Sequence, residues 1–254
     1  MSTHRLVDSP PVPHIFPAPE PTLPPGSDGI VKITAVAGSP RGMQSKTRKL
    51  VTFVLAGAKE AGAEIDLIDR ADLQIVACTG CESCSLDGTC VFGDDFPAAY
   101  DRMLDADGLV FASPVYVDNV SGQMKVFIDR LADAMRYQKF AGKYGCSVAT
   151  TQVSGGDAVV GYLNHALTYL GVTAVGGMSV ALRDDPEALD RAEPAARDLG
   201  HRLVLAVRDR PRYPDQEARM AENRKHFAEI VRANRDWRPD EYERWVREGW
   251  IREE

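Results

Sequence analysis

The chain has 254 residues, of which 44% are hydrophobic and 26% charged; that balance excludes wholesale disorder and a collagen-like fold. Thirty Lys and Arg against 37 Asp and Glu leave a formal net charge of −7, which argues against a nucleic-acid partner. No apolar run approaches the roughly 18 residues of a membrane span, and no charged-then-apolar leader opens the chain, so a cytoplasmic protein without a membrane partner is expected.

Residues 1–29 read as an extended arm. Eight of the 16 prolines fall there, between Pro10 and Pro25, a composition that favours polyproline II over helix or central strand. A domain over 30–210 follows. Val31 to Ala37 reads as a buried strand and Ser45 to Ala61 as a helix with Leu50, Phe53 and Val54 on one face. Gly57 continues that face without a side chain, which permits close packing on the sheet. Glu64 to Asp69 alternates as a second strand. A loop carrying cysteines, 78–90, precedes a helix that Asp94 or Asp95 caps and that ends at Asp107-Gly108. Leu109 to Ala112 is a third strand, and 121–136 is one helix with Met124, Phe127, Ile128, Leu131 and Met135 at helical spacing. Then come a strand at Cys146–Thr151, a helix at 157–170, a strand within 172–182 and a helix at 186–208. Strand and helix alternate five times, which implies a parallel sheet covered by helices on both faces. Residues 211–254 form a helical extension with apolar patches around Met220–Val231 and Trp245–Val246.

The turn after the first strand, Gly38 to Thr47, lies where a doubly wound sheet binds ligands. It is neither Gly-x-Gly-x-x-Gly nor a nucleotide P-loop. It offers hydroxyls at Ser39, Ser45 and Thr47, cations at Arg41 and Lys46, and free N–H groups at a helix start, the parts that a terminal phosphate monoester needs. The third strand leads into Ser113-Pro114-Val115-Tyr116, followed by Ser121-Gly-Gln-Met-Lys125 and Phe127-Ile-Asp-Arg130. With these segments the sequence, over about 31–180, resembles the flavodoxin-like NADPH-dependent FMN reductase family. The resemblance implies a five-stranded sheet in the order 2-1-3-4-5 and FMN as cofactor. It puts the FMN phosphate in the first loop and the ribityl chain and ring along Ser113 to Tyr116. A third ring contact falls in Thr151-Gln-Val-Ser154-Gly155-Gly156, whose glycines let backbone approach a flat ring.

Cys78, Cys81, Cys84 and Cys90 lie within thirteen residues. Thiolates repeating every third residue along a loop converge on one small centre, and four of them satisfy a [4Fe–4S] cubane. Structural zinc and free or oxidised thiols are the alternatives. The spacing, Gly88 and the pair Asp94-Asp95 resemble the iron–sulfur flavoproteins, a branch of the same family whose compact motif binds a [4Fe–4S] cluster. Cys146, in an apolar strand, reads as core. The five histidines show no ligand spacing, and Trp237, Trp245 and Trp250 read as anchors of the extension.

The expected function is an FMN-dependent oxidoreductase or electron-transfer protein coupled to a [4Fe–4S] cluster, fed by NAD(P)H or ferredoxin and serving a small-molecule acceptor. The flavin carries the chemistry, so no acid–base residue is named. The alternatives are an NAD(P)H-dependent FMN or quinone reductase without a cluster and a non-catalytic scaffold with a metal-stapled loop. The arm and extension both need a surface, and a second subunit is the simplest, so a homo-oligomer, dimer or tetramer, is expected.

Overall fold

The computed structural model describes residues 29–84 and 90–253; the proline-rich segment up to residue 28 and Gly88 lie outside the described residues. Five strands, β1 (Lys32–Ala37), β2 (Glu64–Asp69), β3 (Gly108–Tyr116), β5 (Tyr144–Thr151) and β6 (Thr173–Ala181), pair in parallel in the order β2-β1-β3-β5-β6. Counted among themselves they stand 2-1-3-4-5, as expected. A sixth, unexpected strand, β4 (Asn119–Val120), pairs antiparallel with the end of β3.

The central strands β1, β3 and β5 are buried on both faces because their alternation serves two cores. Ile33, Ala35, Val110 and Ala112 join α1 (Lys46–Glu60) and α6 (Ala188–Asp209) through Leu50, Val54, Leu199 and Leu203. Val36, Leu109 and Phe111 face the other way, against α2 (Phe96–Leu104), α3 (Gly122–Asp129) and α5 (Gly156–Tyr169) through Phe96, Met103, Phe127 and Leu163.

Two expectations change. The helix over 121–136 is two pieces, α3 and α4 (Ala132–Arg136). Hydrogen bonding tightens at the join, where the Leu131 N–H donates to the Ile128 carbonyl at 3.0 Å; the chain turns there, and Arg130 goes under the cysteine loop. Gly57 packs closely, but on helix α6 rather than on the sheet: a Cβ there would lie 2.0 Å from the Arg197 carbonyl oxygen.

The extension forms α7 (Pro214–Ala233) and α8 (Pro239–Arg247), each with proline in its first turn. It packs on its own domain. The Gln216 side-chain amide donates to the Ala174 carbonyl and accepts from its N–H at 2.7 and 2.8 Å, which blocks the outer strand β6 from edge pairing. Trp245 is fully buried beside Phe227, Val231 and Ile251, and its Nε1 donates to the Arg136 carbonyl at 2.9 Å.

Candidate functional site

The loops that follow β1, β3 and β5 meet at the carboxyl edge of the sheet. The first is held at its start, where the Gly38 N–H donates to the Ala112 carbonyl at 2.7 Å, and at its end by α1. Ser45 is the N-cap of α1: its Oγ accepts from the Arg48 N–H at 3.1 Å, satisfying a donor the helix cannot. Thr47 Oγ1 lies 2.6 Å from Thr150 Oγ1, which ties this loop to the end of β5. Arg41 and Lys46 are exposed, and among the described residues neither has a carboxylate partner. The next two cations do: Arg48 pairs with Asp69 at 2.8 Å and Lys49 with Asp190 at 2.5 Å. Two such cations, one in the first turn of α1 and one in the loop before it, are the chemistry that suits an anion.

The segment Ser113-Pro114-Val115-Tyr116 is strand rather than loop, because β3 continues to Tyr116 and turns back into β4. The two turn residues, Val117 and Asp118, have φ of +49° and +60°, a conformation that strains a β-branched side chain. Ser113 is buried, and its hydroxyl donates to the Pro114 carbonyl at 2.8 Å and accepts from the Ser121 N–H at 2.9 Å. Ser121 in turn donates to the Gly38 carbonyl and caps α3 by accepting from the Met124 N–H at 3.1 Å. Ser113 thus supports the loops, and Ser121 is the tie between them.

Ser39, Arg41, Ser45, Lys46, Thr47, Pro114, Val115, Tyr116 and Thr151 line one cleft, joined by Thr150, Gln152 and Leu182. Ser154, Gly155 and Gly156 stand outside its wall. Gly155, at φ +81°, makes room for the β3–β4 turn, since a Cβ would lie 2.3 Å from Asp118 Oδ1; Gly156 backs onto Ser179. Sequence reasoning missed Thr150 and Leu182, whose signal is only their position at the ends of β5 and β6, and included Gln152 only as part of the third segment.

The cysteine loop leaves the same edge, after β2. Cys78 and Cys81 are exposed, Cys84 and Cys90 half-buried, and all are free thiols. Among the described residues no three His, Cys, Asp or Glu side chains close around a single ion. The thiols nonetheless feel one another: burial pushes Cys84 up to about 11, and Asp133, Cys90, Cys78 and Cys81 push the same way. Hydrogen bonds from the Ser83 backbone and hydroxyl hold the Cys81 thiol below its usual value.

Arg130 lies beneath this loop, its side chain only 1% exposed. Nη1 donates to the Val76 carbonyl at 2.9 Å and to Asp94 Oδ2 at 2.6 Å; Nη2 donates to Asp94 Oδ1 at 3.1 Å and to Cys90 Sγ at 3.2 Å. The guanidinium carbon stands 5.1 and 4.7 Å from the ring centres of Phe92 and Phe96. Burial works against its charge, but Asp94 and Cys90 outweigh that and raise its pKa. At the other end of the loop Arg238, from the extension, is 3.5 Å from Glu82. Four free thiols with a buried cation on one sulfur are a donor set suited to an anionic metal–thiolate centre. The described histidines lie elsewhere; His165 stacks on Tyr169 and His201 is 3.3 Å from Glu60.

Residues 31–187 match the model of the NADPH-dependent FMN reductase family. An iron–sulfur flavoprotein of Archaeoglobus fulgidus is 29% identical over 223 residues, 87% of this chain and 100% of the relative. One of Methanosarcina thermophila is 32% identical over 153 residues, 59% of this chain and 79% of the relative. Among solved structures, a flavone reductase superposes with a TM-score of 0.58 at 19% identity, over 70% of this chain and 63% of that one, so the chain spans under two thirds of it; this likeness speaks to fold alone.

Proposed function

The chain belongs to the NADPH-dependent FMN reductase family and to its iron–sulfur flavoprotein branch, and we propose that it couples FMN in the cleft at the β1, β3 and β5 loops to a [4Fe–4S] cluster on Cys78, Cys81, Cys84 and Cys90. It is an FMN-dependent oxidoreductase. The observation that carries the reading is that two cations without a carboxylate partner among the described residues, Arg41 and Lys46, share one cleft with a wall of Pro114, Val115 and Tyr116. The cations and the α1 N-terminus suit a terminal phosphate, and the wall suits an aromatic ring. When bound, FMN exchanges electrons singly or in pairs and the cluster singly, so the two join a donor, NAD(P)H or ferredoxin, to a small-molecule acceptor.

Arg41→Ala combined with Lys46→Ala tests the cleft. Each charged contact is worth roughly 1.5–3 kcal/mol, so FMN affinity measured by fluorescence titration falls about a hundredfold or more; unchanged affinity removes the loop from the site. Ser45→Ala is the poorer probe because it also costs α1 its cap. Anaerobically purified protein carries about four iron and four sulfide per chain. One zinc per chain, or iron-free protein with full reductase activity, overturns the cluster.

A homo-oligomer, dimer or tetramer, closes the reading. The loops around the cleft expose Met43, Tyr116, Val117 and Val153, and apolar side chains clustered at a functional edge favour a contact surface. No helix among the described residues is long and apolar enough to cross a membrane; free thiols suit a reducing compartment, and the reading places the protein in the cytoplasm.

A further inference from the structure

Cys90 differs from the other three thiols in its surroundings. Among the described residues it alone of the cysteines accepts a hydrogen bond from a buried cation, the Arg130 guanidinium at 3.2 Å. That cation has no freedom to leave. Asp94 takes it in a two-point grip, the Val76 carbonyl takes a third N–H, and two aromatic rings flank its plane. Asp94 is fixed in turn by the N–H groups of Val76 and Phe96 at 2.9 and 3.1 Å. A simple structural latch needs only the Asp94 fork. The fourth donor is spent on sulfur, and the plane of the guanidinium makes both contacts at once.

We propose that Arg130 is a positioning residue that sets the reduction potential of the centre bound at Cys90, with Asp94 as the counter-charge that holds it there. The inference rests on the reading of the cysteine loop as a cluster site. Reduction adds an electron to the cluster, and a fixed positive charge with an N–H bond on a ligand sulfur favours the reduced state and raises the potential. The pair carries its positive charge on the group that bonds Cys90 and its negative charge on one held by that cation and by backbone N–H groups. Neutralising either end therefore moves the potential in opposite directions, which a purely structural role does not predict.

The test uses the full chain, purified anaerobically, as wild type, Arg130→Gln, Arg130→Lys and Asp94→Asn. Iron and sulfide are counted, and the cluster midpoint is read by electron paramagnetic resonance during a redox titration, with the FMN midpoint as internal control. The expected result is a downward shift in Arg130→Gln, an upward shift in Asp94→Asn, a smaller shift in Arg130→Lys and an unmoved FMN midpoint. Equal cluster midpoints in wild type, Arg130→Gln and Asp94→Asn, at equal iron content, overturn the proposal. If Arg130→Gln fails to fold, the sign in Asp94→Asn decides. Wild-type protein without iron overturns the underlying cluster reading instead, and the proposal falls with it; loaded wild type with unmoved variants leaves that reading standing and sinks this one alone.

Discussion

Three thiols of this chain, Cys81, Cys84 and Cys146, differ in reactivity for reasons local to each. Cys146 is buried in β5 and burial pushes it up to about 12, so it offers almost no thiolate at pH 8. Cys84, pushed up to about 11, is only about 0.1% thiolate there. Cys81 is exposed and held low by Ser83. In iron-free protein, iodoacetamide at pH 8 therefore labels Cys81 ahead of Cys84, and Cys146 only in denaturant, as read by peptide mass spectrometry. The order was partly legible in the sequence, since an apolar strand hides Cys146 in any reading. Ser39, Arg41, Ser45, Lys46 and Thr47 were legible too, because a turn between strand and helix is written in adjacent residues. Thr150 and Arg130 were not. Thr150 meets Thr47 across 103 residues and Arg130 meets Cys90 across 40, and no local pattern marks a partner that distance away. The motif places Ser113 at the sheet edge but is silent on which way its side chain turns, which is toward Pro114 and Ser121.

At the scale of elements, α1 and α6 touch through two glycines. A Cβ at Gly57 would lie 2.0 Å from the Arg197 carbonyl oxygen, and one at Gly200 would lie 2.0 Å from that of Val54. Two effects compete when either becomes alanine. Helix propensity favours alanine by about 1 kcal/mol, whereas forcing a methyl into a packed contact costs typically 1–3 kcal/mol, occasionally more. Both obstructing atoms are backbone and cannot turn aside, so the second effect wins. Gly57→Ala and Gly200→Ala each lower the urea midpoint, with the m-value unchanged; a raised midpoint in either shows that the crossing has room. The sequence signalled Gly57 as a close approach through its place on an apolar helical face. It assigned the wrong partner because periodicity reports which face is buried and not what lies opposite. The break between α3 and α4 escaped for the same reason, since Met124 to Met135 keep helical spacing straight through it.

For the whole molecule, two surfaces have to be told apart. The extension was expected to need a second subunit, yet it covers its own domain, with Gln216 on the β6 edge and Trp245 under Arg136. Among the described residues the rim of the cleft has no such cover: Val117 is 100% exposed at φ +49°, and Val153 is 65% exposed. A β-branched residue held there pays strain without burial among the described residues. Truncating Trp245 to alanine removes a fully buried ring, a change that costs about 3–5 kcal/mol, and it lowers thermal stability while leaving the sedimentation coefficient of the folded protein unchanged. Val117→Asn with Val153→Ser does the reverse. Asparagine tolerates positive φ better than valine, so the fold holds or gains stability, and the apolar rim is lost. Sedimentation velocity at micromolar concentration then shows a smaller species than wild type, and the flavin becomes more accessible to iodide quenching. If the rim variant sediments as wild type does while the Trp245 variant dissociates, assembly runs through the extension and the cleft stays open to its donor.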